Sequence, residues 1–165
     1  LRKETMAGPT PYVAVVGAGI ADDDETRLAE QVGELLARRG AVVVCGGMTG
    51  VMEAACKGAK RAGGTTVGIL PGPRRADAND YVDVAIATGL GEVRNTLIVR
   101  AVDVVVAIGG EFGTLSEIGF ALKTGTPVVG LTTWELVRAG APVDAYEIAA
   151  SPEEAVAAAE ALWSP

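Results

Sequence analysis

Asp103-Val-Val-Val-Ala-Ile-Gly-Gly-Glu-Phe-Gly-Thr-Leu-Ser-Glu117 begins as an unbroken run of branched apolar residues and turns abruptly to glycine. The run from Asp103 to Ile108 reads as a strand covered on both faces, as a parallel sheet requires. Gly109-Gly110 ends it, and a helix is expected from Thr114 to Lys123. Glycine admits positive φ and lets a ligand approach the backbone. The unpaired N–H groups of the following helix, aided by its dipole, favour an anion such as phosphate.

The same order of residues recurs upstream. Val42-Val-Val-Cys-Gly-Gly-Met-Thr-Gly50 parallels Val105-Val-Ala-Ile-Gly-Gly-Glu-Phe-Gly113, each a strand followed by Gly-Gly-x-x-Gly. Nearer the N-terminus, the strand Tyr12-Val-Ala-Val-Val16 runs into Gly17-Ala18-Gly19. A dinucleotide fingerprint would want a third glycine where Asp22 sits, and an acid where the second strand ends in Cys45-Gly46-Gly47; an NAD site of the usual kind is disfavoured. Gly17 and Gly19 therefore serve either a tight strand-to-helix turn or ligand contact. The candidate ligand-binding set is Gly17, Gly19, Gly46, Gly47, Thr49, Gly50, Gly109, Gly110, Gly113 and Thr114. Close helix–sheet packing remains the alternative for one of the Gly-Gly turns.

Outward from these turns, strands and helices alternate along the chain. A helix is expected over Asp24–Arg39, with Leu28, Val32, Leu35 and Leu36 on one stripe, a capping box of Asp22 and Glu25, and Gly40 as its stop. Ala41–Cys45 is a second strand, followed by a helix through about Ala62; Thr65–Leu70 is a third strand. A polar loop over 71–80 carries Arg74 and Arg75, read chiefly as a solvated pair. Then come a strand at Val82–Ala87, a short helix at Glu92–Ala101, the strand of the opening stretch, and a strand at Pro127–Leu131. Val143–Ile148 is a candidate edge strand, and Ser151 and Pro152 start a final Ala-rich helix. This order gives an α/β fold, a Rossmann-like three-layer α/β/α sandwich with a mostly parallel sheet. Such sheets bind ligands beyond the carboxyl ends of their strands, at a topological switch point.

The chain has 165 residues, suited to a flexible segment over 1–10 and one domain over 11–165. The formal charge of −7 argues against nucleic acid or an anionic membrane as partner. Histidine is absent, which removes Ser-His-Asp and Cys-His catalysis and the commonest metal ligand. Cys45 and Cys56 match no zinc spacing and read as small buried residues in a reducing compartment. No secretory signal or membrane-spanning apolar run is evident, so a cytoplasmic protein is expected. Trp134 and Trp163 read as packing residues.

Thr114 and Glu117 admit two readings. Thr114 can donate to a phosphate with Glu117 aimed at the ligand, or the two can form a capping box on their own helix. Arg94 favours a ligand. It shares a helical face with Leu97, Ile98 and Ala101, so the short helix carries a guanidinium on its apolar stripe. An anion is a good partner for it there, although an arginine can also snorkel to water.

Arg94-Asn95, Asp103 and Ile108-Gly-Gly-Glu-Phe-Gly-Thr-Leu-Ser-Glu117 together resemble the LONELY GUY or "possible lysine decarboxylase" superfamily of SLOG-type Rossmann proteins. Gly46-Gly-Met-Thr-Gly-Val-Met-Glu53 is similar to its first glycine motif. The resemblance covers roughly Tyr12 to Leu131 and implies that Arg94 and Glu117 form a catalytic pair, with Gly110, Gly113 and Thr114 around a phosphate. Members with the full signature are phosphoribohydrolases that cleave the N-glycosidic bond of nucleoside 5′-monophosphates. Here Gly109 replaces the signature's Pro, Glu111 its second Gly and Asn95 its Lys. These departures resemble the molybdenum-cofactor-carrier-like branch, which binds a phosphorylated pterin without hydrolysing it. No required cofactor is implied, but a bound nucleoside monophosphate or pterin cofactor is, along with a homo-oligomer, dimer or tetramer. No motif for a pyridoxal-phosphate lysine supports the decarboxylase label.

Overall fold

The structure, a computed structural model, describes residues 8–163. The flexible segment expected over 1–10 thus lies, for residues 1–7, outside the described residues. In chain order the elements are β1 (Tyr12–Gly17), α1 (Asp23–Arg38), β2 (Val42–Cys45), α2 (Val51–Arg61), β3 (Thr66–Leu70) and β4 (Val84–Ala87). A 3-10 turn (Gly91–Arg94) then leads into α3 (Asn95–Arg100), β5 (Val104–Ile108), α4 (Phe112–Thr124) and β6 (Val128–Leu131). A two-stranded ribbon of β7 (Val137–Arg138) and β8 (Ala141–Pro142) precedes β9 (Glu147–Ala149) and α5 (Pro152–Trp163).

Seven strands form one sheet in the order β4-β3-β2-β1-β5-β6-β9, every neighbouring pair parallel. The chain winds outward from β1 to β4 and then returns to place β5 against β1, where Val13 aligns with Val104 and Gly17 with Ile108. This return is the switch point at which a Rossmann-like sheet opens a crevice.

Successive side chains of a strand point to opposite faces, so each central strand feeds two cores. Val13, Val15, Val104, Val106 and Ile108 pack with Val32 and Leu36 of α1, Val51 and Ala55 of α2, and Ala155 and Val156 of α5. Ala14, Val16, Val105 and Ala107 face the other way, onto Ile98 and Val99 of α3 and Ile118 and Ala121 of α4. The result is the three-layer α/β sandwich that the continuous apolar runs imply.

Local signals explain the helix ends. The Asp22 carboxylate accepts from the Glu25 N–H at 2.8 Å and the Glu25 carboxylate from the Asp22 N–H at 3.2 Å, closing the expected capping box. Gly40 follows at φ +77°. α1 and α2 meet through small residues: a Cβ on Gly33 would lie 2.0 Å from the Ala55 carbonyl oxygen, and one on Gly58 would lie 1.9 Å from that of Glu30.

Two elements differ from the sequence reading in a way that matters for the site. The segment before β5 starts as a 3-10 turn, which advances about 120° per residue instead of 100°. The stripe therefore rotates: Arg94, Ile98 and Val99 are buried, whereas Leu97 and Ala101 are exposed. α4 begins at Phe112, two positions before Thr114. The ribbon β7–β8 has no counterpart in the sequence reading, because two-residue strands carry too little alternation to register.

Candidate functional site

A cavity of about 400 Å³ opens at the carboxyl ends of β1 and β2, beside the switch point. One wall is the first glycine turn, Gly17 to Ile20; Gly46 at the end of β2 and Met52 on α2 form another. Arg94 and Asn95 enter from the third side, and Gly113, Thr114 and Glu117 from α4. The structure thus brings together Gly17, Gly19, Gly46, Arg94, Gly113, Thr114 and Glu117 of the sequence candidates.

The start of α4 sets the cavity's capacity for an anion. Its N-cap, Glu111, makes no side-chain cap bond, and no acidic residue occupies the first turn. The first N–H groups of the helix are thus left for a ligand. A Cβ on Gly113 would meet nothing within 4 Å, so the space over this turn is open. Because α4 starts at Phe112, Thr114 and Glu117 lie inside the helix on one face, and the capping-box reading of the pair falls. Both are buried.

Arg94 is 8 % exposed. Its guanidinium donates to the Asn95 side-chain oxygen and, through Nη2 at 3.4 Å, to the Gly46 carbonyl. Nε has no partner. A Cβ on Gly46 would sit 2.7 Å from Nη2, so only glycine leaves room for the guanidinium beneath the β2 turn. Burial lowers the Arg94 pKa from its ordinary value, and the Glu117 carboxylate opposes that shift.

Glu117, 6 % exposed, makes no side-chain hydrogen bond among the described residues. Burial pushes its carboxyl up to about 7, against the pull of Arg94. Among the described residues the two form no ion pair. One cavity therefore holds a buried cation and a buried carboxyl that do not neutralise each other. Such a carboxyl can accept N–H or O–H donors, or exchange a proton near neutral pH.

Gly47, Thr49, Gly50, Gly109 and Gly110 do not line this cavity, contrary to the sequence reading. The Gly47 N–H donates to Cys45 Sγ at 3.2 Å. Thr49 Oγ1 donates to the Gly19 carbonyl at 2.8 Å, and Gly50 packs so closely that a Cβ would lie 2.2 Å from the Ala18 oxygen. The second Gly-Gly turn thus buttresses the first. The Gly110 N–H donates to Glu25 Oε1 at 3.2 Å, and a Cβ on Gly109 would lie 1.8 Å from that same oxygen. The protein's own carboxylate fills the anion position of the third turn.

A profile of the SLOG cluster4 family matches residues 10–157. The chain belongs to the SLOG cluster4 family. An uncharacterized protein of Archaeoglobus fulgidus is 43 % identical over 145 residues, covering 87 % of this chain and 91 % of that one. Among solved structures, the molybdenum cofactor binding protein of the phototrophic bacterium Rippkaea orientalis superposes with a TM-score of 0.86 at 38 % identity, over 96 % of this chain and 100 % of that one. The molybdenum cofactor carrier protein of Chlamydomonas reinhardtii gives 0.84 at 36 % identity, over 93 % and 98 %. These likenesses place this SLOG cluster4 protein on the carrier-like side of the superfamily that the sequence resembles.

Several cavity residues of this SLOG cluster4 protein escape sequence reading. Pro71, Glu92 and Asn95 line the site yet belong to no glycine motif, and Met52 lies within the first motif without having been singled out. Asn95 was visible only as a departure from a signature; here its side chain takes one arm of Arg94. Arg74 pairs with Asp77 at 2.7 Å, and neither Arg74 nor Arg75 lines the cavity. Trp134 packs on Phe112 with ring centroids 5.7 Å apart and donates to the Glu111 carbonyl at 3.3 Å, so it braces the start of α4 from outside. Cys45 and Cys56 are both buried, with sulfurs 3.4 Å apart. Their shared hydrogen bond lowers the Cys45 pKa and raises that of Cys56.

Proposed function

We propose that this SLOG cluster4 protein binds and carries a small phosphorylated pterin-type molecule of the molybdenum-cofactor class. The phosphate would sit at the N-terminus of α4, over Gly113 and Thr114, facing Arg94. The observation that carries this reading is Arg94, a buried guanidinium that lines the cavity and whose Nε has no partner. A buried guanidinium with an unmet donor is costly unless an anion completes it. The similarity to two carriers of that cofactor supports the same ligand class. The chain has no histidine, and no cysteine lines the cavity. A metal carried on the ligand would thus meet no ligating imidazole or thiolate, which suits a protein that must release its cargo.

The Glu117 carboxyl favours a second reading, a nucleoside 5′-monophosphate phosphoribohydrolase. A group titrating near 7 beside a phosphate-holding arginine can assist cleavage of an N-glycosidic bond. In both readings the chain self-associates; Leu90, Val93, Leu97 and Phe112 stand exposed around α3 and the start of α4, as a protein interface would use them.

The test is thermal unfolding with 6-hydroxymethylpterin phosphate and its dephosphorylated form, together with a chromatographic search for base release from nucleoside monophosphates. Stabilisation by the phosphorylated form, lost on Arg94→Ala and without base release, supports the carrier. Equal stabilisation by both forms removes the phosphate site. Base release abolished by Glu117→Gln moves the protein to the hydrolase reading.

A further inference from the structure

We propose that Glu117 reads a paired N–H edge on the ligand's heterocycle, the 2-amino-4-oxopyrimidine edge that pterins share with guanine. The inference rests on the phosphate reading above and names a second contact to the same ligand.

The cavity presents two buried charged side chains that cannot satisfy each other. Arg94 is fixed on the β2 side by Gly46 and Asn95, and Glu117 projects from α4 without a hydrogen bond among the described residues. A ligand that relieves both must bring an anion to Arg94 and donors to Glu117. Three donor chemistries can be compared. An ammonium group is a compact point charge that does not span both carboxylate oxygens in one plane, and it would share the cavity with Arg94. A ribose diol would donate, but each hydroxyl also carries lone pairs that need donors. Among the other lining side chains only Asn95 and Thr114 carry donors; Asn95 is engaged with Arg94 and Thr114 lies where the phosphate is placed, while Val15, Val16, Ala18, Ile20, Met52 and Pro71 offer none. A flat heterocycle with an amino group beside a ring N–H is neutral. It gives the two carboxylate oxygens two parallel N–H bonds, as a guanidinium would, and lays its faces against apolar walls. Met52 suits such a face, because its thioether is flexible and polarisable.

The experiment is calorimetric titration of the full chain with GMP, IMP, AMP and guanosine at about pH 8, where the carboxyl is ionised. IMP differs from GMP only in lacking the 2-amino group. We expect GMP to bind on the order of tenfold or more tighter than IMP or AMP, because either of these leaves the Glu117 carboxylate short of a donor. In Glu117→Gln, which keeps the shape but turns a donor toward a donor, that preference should vanish while the advantage of GMP over guanosine persists. Equal affinity for GMP and IMP, with GMP still tighter than guanosine, overturns the edge assignment and leaves the phosphate site standing. Equal affinity for GMP and guanosine, or no binding by any of the four or by 6-hydroxymethylpterin phosphate, overturns the phosphate reading and this inference with it. A GMP preference that survives in Glu117→Gln assigns the edge to another group and refutes the role of Glu117.

Discussion

Replacing Glu117 with glutamine should make the ligand-free protein more stable at alkaline pH and leave it unchanged in mild acid. In the unfolded chain the carboxyl loses its proton near its ordinary value of 4.5, whereas in the fold, burial holds the proton until about 7. Between these values the folded state binds more protons than the unfolded state, so stability falls as pH rises. The loss is complete above about 7 and absent below 4.5. Each pH unit across the window costs about 1.4 kcal/mol, so the total approaches ~3 kcal/mol. The residue is 6 % exposed, so solvent screening takes little from that figure. Urea unfolding of wild type and Glu117→Gln at intervals across the window gives the answer. The difference between them should open from near zero to ~3 kcal/mol in favour of the variant. A difference that stays constant with pH would mean that the folded carboxyl titrates as in water, and the picture of an unneutralised Glu117 beside Arg94 would be wrong.

Two further outcomes test the scaffold. Glu25→Ala removes both the α1 capping box and the bond to the Gly110 N–H, and should cost about 1–2 kcal/mol in urea unfolding; a neutral result would separate Glu25 from the third turn. Gly33→Ala drives a methyl into the Ala55 carbonyl and should destabilise by about 1–3 kcal/mol, seen as a lowered Tm. A gain in stability, as helix propensity alone would give, would refute the close α1–α2 contact.

The sheet and its helices were legible because Val/Ile runs and glycine stops carry local information, and strands β1 to β6 fall on those runs. Arg94 was legible as a cation on an apolar face through Leu97, Ile98 and Ala101, even though the 3-10 turn changed the phase of the stripe and left only Ile98 of the three buried. Thr114 and Glu117 were ambiguous for a physical reason. A capping box and two turns of one helical face share the i, i+3 spacing, and only the start of α4 at Phe112 separates them. Glu25 shows the limit most clearly. Its capping role is local and was read; its bond to Gly110 spans 85 positions, and no periodicity records such a contact. That one bond changes the meaning of the motif, because the Gly109–Gly110 turn looks like a phosphate cradle until its anion position is found taken.

The same bond shapes the site that remains. With Glu25 holding the third turn and Thr49 and Gly50 tying the second to the first, anion capacity is confined to the first turn of α4 and to Arg94. Beside Arg94 the cavity is lined by Asn95, Thr114 and the carboxylates of Glu92, Glu111 and Glu117; its other side chains are apolar. In the proposed reading the ligand's phosphate faces the first turn of α4 and Arg94, and the face of its ring lies against Met52. Arg94 bonds to Asn95 and Gly46 and forms no ion pair with Glu117 among the described residues. A buried guanidinium and a buried carboxyl that share no hydrogen bond are an expensive arrangement for an empty protein. The expense falls when a molecule supplies an anion at one end and donors at the other, and that difference between empty and filled states is the free energy a binding site selects on.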